Sequence, residues 1–427
     1  MSRYAVILGG ELRNRGAQAM TFRTIAAVRE LLPGIEPVVA SNHDAPLELI
    51  DIVKGKHARP DQSNLAFDVI RFDVDLLYGS SAGRFNLSSA LALAKTEAKG
   101  IVRMSSTIKT KRILDEAALC IDISGFAFGA QWSFRNCQRY LNKLELLRER
   151  GIPTYIMPQS FGPFEFADPT QTETIRSRAA ELLLYPRMIC AREQQGFADM
   201  KALCPGARLS LEEDLVLAGG PIDPASVFVD PSVIPPVPNV GEPPLVGIVP
   251  NRRTFDHGDE TSVLTLWGLV VEELLSLGYR VCIIRHAEDD GSRCHQIKAL
   301  FEDDARVSLL KDELYCFQYE DIFARCDFLV ASRFHAIVHA YRCGVPCVVL
   351  GWATKYEELL ERFAQESFVH DVRNLNDGSM ARIVASVRHM ANHHDEESTR
   401  IATHLAELHS TSDVFERLAE DYGSIAR

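Results

Sequence analysis

No stretch of this 427-residue chain approaches the roughly 18 consecutive apolar residues that a membrane-spanning helix needs. A lipid-linked substrate would therefore be met only from the membrane surface, by peripheral contact. No basic leader or cleavage site precedes the first apolar run, Tyr4-Ala5-Val6-Ile7-Leu8. Basic residues are in deficit, 46 against 58 acidic, for a formal charge of -12, which argues against nucleic acid as a partner because phosphate backbones need a basic face, while leaving room for a local basic pocket that takes a small anion. The 10 cysteines form no C-x-x-C pair and several sit inside apolar runs, where a free thiol behaves as a small hydrophobe. That usage fits a reducing cytosol rather than a disulfide framework, so the chain reads as cytoplasmic.

Two further absences narrow the chemistry. The dinucleotide fingerprint G-x-G-x-x-G is missing after the first strand, which instead runs into Gly9-Gly10-Glu11-Leu12-Arg13-Asn14-Arg15-Gly16-Ala17-Gln18. The H-E-x-x-H metal pattern is missing too. His389 and His393 stand four apart but are followed by His394-Asp395-Glu396-Glu397, which reads as a solvated helix end, and no metal is assigned.

What is present is a regular alternation of short apolar runs with longer amphipathic segments, the pattern of βαβ units and a mainly parallel sheet. The first series predicts strands at Tyr4–Leu8, Glu36–Ala40, Leu119–Ile123, Thr154–Met157 and Met188–Ala191. Helices are expected at Ala17–Leu32, Phe134–Arg150, Gln171–Leu184 and Gln194–Leu203, with a further strand in Phe67–Leu77 and a helix in Ser88–Ala98. The run Pro235-Pro236-Val237-Pro238-Asn239-Val240-Gly241-Glu242-Pro243-Pro244 forbids helix and central strand. It marks a linker at 226–244 between an N-terminal Rossmann-like domain, 1–225, and a C-terminal one, 245–427.

The second series predicts strands at Leu245–Val249, Arg280–Ile284, Val307–Leu309, Phe328–Ala331 and Cys347–Leu350. Its helices are expected at Glu260–Leu277, Gly291–Phe301, Tyr319–Arg325, Phe334–Arg342 and Tyr356–Phe363. Ser379–Ala391 and Thr399–Tyr422 read as closing helices, the last crossing back to the first domain. The fold class expected is α/β, two Rossmann-like domains facing across a cleft.

Candidate site residues gather at strand ends, where open α/β sheets bind ligands. Arg333 and His335 lie between a buried strand and a helix N-terminus, a position that favours anions. Arg192, after another strand, suits bidentate anion binding, with an ion pair to Glu193 or Asp214 as its alternative use. Asp122 and Trp132 suit a sugar, the carboxylate accepting from hydroxyls and the ring stacking on an apolar sugar face. Gln159, in Pro158-Gln159-Ser160-Phe161-Gly162-Pro163, ends a third strand in the same manner.

Read in order, Asn14-x-Gly16-Ala17-Gln18-Ala19, Ile123-Ser124-Gly125 with Phe128-Gly129 and Trp132, and Pro158-Gln159-Ser160-x-Gly162-Pro163 form a recognisable series. Ala191-Arg192-Glu193, Asp214-Leu215 and Ser332-Arg333-Phe334-His335-Ala336 with Gly344-Val345-Pro346 and Lys355 continue it. The series resembles the polysaccharide pyruvyl transferase family. One departure is Gly125-Phe126, where the family often has two adjacent glycines, in the loop expected to face the acceptor.

The resemblance implies two facing domains of GT-B type. It also implies transfer of the pyruvyl group of phosphoenolpyruvate to a sugar or lipid-linked sugar, usually as a ketal, with phosphoenolpyruvate as co-substrate and no further cofactor. The donor carries a carboxylate and a phosphate, so Arg192, Arg333, His335 and Lys355 are expected to bind it. His335 is expected to be the acid/base with Arg333 assisting catalysis, and His339, one turn on, to be its backup or, in preference, a structural residue. Asn14, Gln18, Asp122, Trp132 and Gln159 are expected on the acceptor side. The alternative is a GT-B glycosyltransferase with a nucleotide-sugar donor, which needs a ribose-binding carboxylate for which Glu357 or Glu358 are candidates.

Overall fold

A computed structural model of the chain describes residues 3–12, 14–41, 64–72, 74, 77, 108–310, 314–408 and 413–426. Two parallel sheets organise it. The first has seven strands: β1 Tyr4–Leu8, β2 Glu36–Ser41, β3 Asp68–Arg71, β4 Ala117–Asp122, β5 Thr154–Gln159, β6 Met188–Ala191 and β7 Leu209–Leu211. Their order is β3-β2-β1-β4-β5-β6-β7. The second has six: β8 Leu245–Val249, β9 Arg280–Ile284, β10 Val307–Leu310, β11 Phe328–Ala331, β12 Cys347–Gly351 and β13 Val369–Asp371, in the order β10-β9-β8-β11-β12-β13.

Central strands such as Val-Cys-Ile-Ile of β9 and Leu-Val-Gly-Ile-Val of β8 are buried on both faces, as parallel strands covered by helices on each side must be. The helices are α1 Arg15–Leu31, α2 Phe134–Glu149, α3 Pro169–Leu182, α4 Gln194–Leu203 and α5 Leu215–Ala218 in the first half. The second half adds α6 Arg252–His257, α7 Glu260–Ser276, α8 Gly291–Ala299, α9 Cys316–Phe323, α10 Phe334–Arg342, α11 Thr354–Arg362, α12 Asp377–Leu408 and α13 Val414–Ile425.

Local chemistry sets the helix starts. Asn14, Ser133, Asp168 and Asp259 each cap a helix through a side-chain oxygen, and Pro169 follows its cap at a position where no amide is needed. Residues 219–244 carry only two single-turn 3-10 segments, Pro224–Ser226 and Pro231–Val233, each opened by a capping aspartate and a proline. All 10 cysteines are free thiols, and all but Cys343 are buried.

Some boundaries differ from the expectation. The strand expected within Phe67–Leu77 is only Asp68–Arg71, and the helix expected at Ser88–Ala98 lies outside the described residues. The closing helices divide elsewhere. One 32-residue helix, α12, runs straight through His393 to Glu397, because that charged stretch has no helix breaker and Glu397 is buried against Gln365 at 2.5 Å. Among the described residues α12 ends at Leu408, and α13 starts where Asp413 accepts from the amide of Phe415 at 2.7 Å. The segments β7, α5, α6 and β13 are too short for periodicity to mark.

α13 does return to the first half. Asp421 pairs with Arg187 at 2.7 Å and accepts from the Tyr155 hydroxyl at 2.8 Å, while Arg417 meets Glu212 at 2.6 Å. Phe415, Leu418 and Ala419 pack beside Ala27, Val28 and Leu31 of α1.

In each sheet the order reverses once, between β1 and β4 and between β8 and β11. Crossovers leave these pairs in opposite directions and open a crevice at their carboxyl ends. The two crevices face each other: Asn14 of the first half bridges to Ala287 of the second, and Gln18 accepts from the Cys316 amide at 2.7 Å.

Candidate active site

The β1–α1 loop crosses over β4 so closely that a Cβ on Gly9, whose φ is +76°, would lie 2.4 Å from Ser124 Oγ. Only glycine fits there. α1 then begins, and Gly16 in its first turn lies flat against His335 of the other half. A Cβ on Gly16 would sit 2.0 Å from His335 Cγ and 2.3 Å from Nδ1. The missing side chain is what lets the imidazole reach across.

His335 is the second residue of α10, after Arg333 at the cap position. Its Nε2 is buried without a hydrogen-bond partner and stands 3.9 Å from Asp214 Oδ2. Burial, and then the nearby cations Arg192 and Lys355, push the imidazole down to about 3, against the opposing pull of Asp214. In the free protein it is therefore a neutral base.

Asp214 is buried ahead of α5. Its Oδ1 accepts from the amide of Val216 at 2.9 Å, and its Oδ2 from Arg192 Nη1 at 2.7 Å. Burial works against the ionised form, but Arg192 outweighs it and the carboxyl stays below its ordinary range. Arg192 also donates to Glu193 at 2.9 Å and to Ser160 Oγ at 2.8 Å, and lies over the Phe334 ring at 4.7 Å. The ion-pair use of Arg192 is thus the one seen in the free protein.

Arg333 is likewise committed. Its Nε and Nη2 donate to Asp290 at 2.7 and 2.6 Å, and Nη2 also to Asp289 at 2.6 Å. Asp290 is fully buried, and burial raises its carboxyl although Arg333 offsets part of the shift. The structure therefore turns Arg333 toward the β9–α8 turn rather than leaving it free at the cleft.

Lys355, on α11, is the exception. No carboxylate among the described residues lies within ion-pair distance of its ammonium, which stands 5.2 Å from the Phe334 ring centroid. Burial and then Arg192 lower it to about 8. Lys355, Arg192 and Asp214 line one open pocket together with Glu358 and Arg362.

On the acceptor side, several expected contacts are already engaged. Asn14 Oδ1 caps α1, accepting from Gly16 at 3.0 Å, and Gln18 spans from the Leu12 carbonyl to the Cys316 amide. Asp122 is buried, its Oδ1 taking both the amide and the hydroxyl of Ser124. Gln159 is fully buried at the end of β5, its amide beside the Tyr140 hydroxyl. Trp132 is 39% exposed, its ring edge-on to Phe126 at 6.1 Å. His339 is buried and bonded to Glu320 at 2.8 Å, which also holds Arg342: a structural use, as expected.

Three contacts were not read from the sequence. Gly16 makes room for a histidine more than 300 residues away. Glu358 accepts from the amides of Gln194 and Gln195, filling the start of α4 where Glu193 makes no side-chain cap. Arg362 pairs with Glu213 at 2.5 Å and donates to the Arg192 carbonyl at 2.9 Å. Gly16 and Asp214 stood in motifs and Glu358 was a candidate ribose-binding carboxylate, but the contacts they make here were not read from them.

Two parallel sheets meeting at their switch points define a two-domain α/β protein of GT-B type. Solved structures share that fold. Medicago truncatula UGT71G1 complexed with UDP-glucose superposes with a TM-score of 0.53 at 11% identity, over 99% of this chain and 98% of that one. The UDP-GlcNAc 2-epimerase from Neisseria meningitidis bound to UDP-GlcNAc gives 0.51 at 11% identity, over 93% and 94%. The sequence itself is more specific: residues 14–354 match the polysaccharide pyruvyl transferase family, and the chain belongs to it.

Proposed function

We propose that this protein transfers the pyruvyl group of phosphoenolpyruvate onto two hydroxyls of a sugar or polysaccharide precursor, forming a ketal and releasing phosphate. Beyond family membership, the observation that carries this reading is His335: a half-buried, neutral imidazole with a buried, unpartnered nitrogen, set against Gly16 of the opposite half and close to the unpaired Lys355. A proton relay and a spare cation are what this chemistry requires of a protein.

Phosphoenolpyruvate brings a carboxylate and a phosphate, and Lys355 is the cation that can meet it without first giving up a carboxylate. Arg192 and Arg333 take part by sharing their present pairs. In the first step the sugar oxygen bonds to C2 and C3 gains a proton, so the C2–C3 double bond is consumed. His335 takes the hydroxyl proton and relays it to C3. In the second step another hydroxyl oxygen bonds to C2, the C2–O bond to phosphate breaks, and the phosphate leaves with that hydroxyl's proton. The exposed Trp132 with Phe126 supplies an aromatic surface for the sugar on the N-terminal side, residues 1–225, and the donor is held chiefly from 245–427.

The nucleotide-sugar alternative is less well served. Glu358 is already bonded to two backbone amides, and Glu357 is exposed and outside the residues lining the cavity. Calorimetric titration with phosphoenolpyruvate and with UDP- and GDP-sugars separates the readings. Saturable phosphoenolpyruvate binding that Lys355→Met weakens is expected; binding of a nucleotide-sugar in its place would overturn the proposal.

A further inference from the structure

The geometry points to Asp214 as the positioning residue for His335, holding the proton on Nε2 and leaving Nδ1 as the nitrogen that exchanges protons with the substrate. The assignment of Nδ1 to the substrate rests on the transfer reading above; the tautomer does not.

Asp214 is fixed at both oxygens, by the Val216 amide at 2.9 Å and by Arg192 at 2.7 Å. What remains of Oδ2 lies 3.9 Å from His335 Nε2, a buried atom with no other partner. The charged and titratable groups around the ring come from every neighbouring element: Arg192 after β6, Lys355 on α11, His286 after β9, His339 on α10 itself and Asp214 before α5. Asp214 alone among these is an anion. An N–H pointing at it is favoured and a lone pair pointing at it is repelled, so the proton belongs on Nε2. Approach by about 1 Å turns the contact into a hydrogen bond. The other nitrogen, Nδ1, packs against Gly16 in the first turn of α1, where a Cβ would come within 2.3 Å of it.

The test is imidazole nitrogen NMR on the full-length protein labelled at histidine, with His335→Gln used to pick its signals out of 13 histidines. At neutral pH the expected result is an Nε2–H tautomer for His335. In Asp214→Asn that tautomer loses population and kcat falls by about a hundredfold, while KM for phosphoenolpyruvate changes much less. An Nδ1–H tautomer in the wild type would overturn the assignment, as would an Asp214→Asn protein with unchanged tautomer and kcat. Should Asp214→Asn not fold, the wild-type tautomer still decides. A wild type that never turns over phosphoenolpyruvate would sink the transfer reading and leave the tautomer result standing on its own.

Discussion

If Lys355 meets the donor as proposed, binding acquires a pH dependence that can be worked out in advance. Its ammonium is lowered to about 8, first by burial and then by Arg192, and no carboxylate among the described residues pairs with it. A bound anion reverses that environment and keeps the lysine charged well above pH 8. The depressed value therefore belongs to the free protein, and binding draws a proton in. Affinity is fully present below about pH 7 and is lost as pH rises through 8. With a free-state value of about 8, the apparent Kd scales as 1 + 10^(pH − 8), making phosphoenolpyruvate about tenfold weaker at pH 9 than at pH 7, or about 1.4 kcal/mol. At pH 8 about half a proton is taken up per donor bound. Any uptake by His335, which starts from about 3, falls on the acid side of this window. Calorimetry at each pH, in buffers of different ionisation enthalpy, reads both quantities at once. Lys355→Met is expected to bind more weakly at pH 7 and to lose the pH dependence. An affinity that stays flat from pH 7 to 9, with no proton uptake at pH 8, would refute the reasoning.

His335→Ala is expected to lower turnover about a hundredfold or more while leaving phosphoenolpyruvate binding largely intact, read by steady-state kinetics beside calorimetry. Gly16→Ala places a methyl 2.0 Å from His335 Cγ; turnover should fall by about a hundredfold as the ring is displaced, and far-UV circular dichroism should show the fold retained. Arg333→Met leaves the buried Asp290 without its partner and should cost about 3–5 kcal/mol in denaturant titrations, so any loss of donor affinity must be measured on protein shown to be folded. Trp132→Ala should raise KM for the sugar acceptor and leave donor affinity unchanged, a split visible in initial-rate kinetics.

The strands that the sequence marked most clearly were the buried parallel ones. Tyr4–Leu8, Met188–Ala191 and Phe328–Ala331 are bounded as expected, because a continuous apolar run between turn residues leaves little choice. α10 was equally legible, since the strand before it and the Gly-Pro stop after it fix both ends. The short elements were not, because three or four residues carry no period. Within the site, the motifs found the right loops but not the state of their side chains. Arg192 and Arg333 look alike in sequence to the unpaired Lys355, yet each arginine is held by carboxylates: Glu193 and Asp214 for one, Asp289 and Asp290 for the other. Such pairing across 22 or 43 positions is decided by how loops lie over one another, which no local pattern records. Asn14 and Gln18 show the same limit: one side chain is spent on capping α1 and the other on joining the halves, uses identical in sequence to sugar binding.

The return of α13 to the first half means that the polypeptide passes between the sheets twice, once through residues 219–244 and once after Leu408. A body hung from one tether can drift in any direction, whereas one hung from two turns about the line that joins them. Any movement of one half against the other is then confined to turning about that line. The contacts of Glu358 and Arg362 with the opposite half oppose such turning.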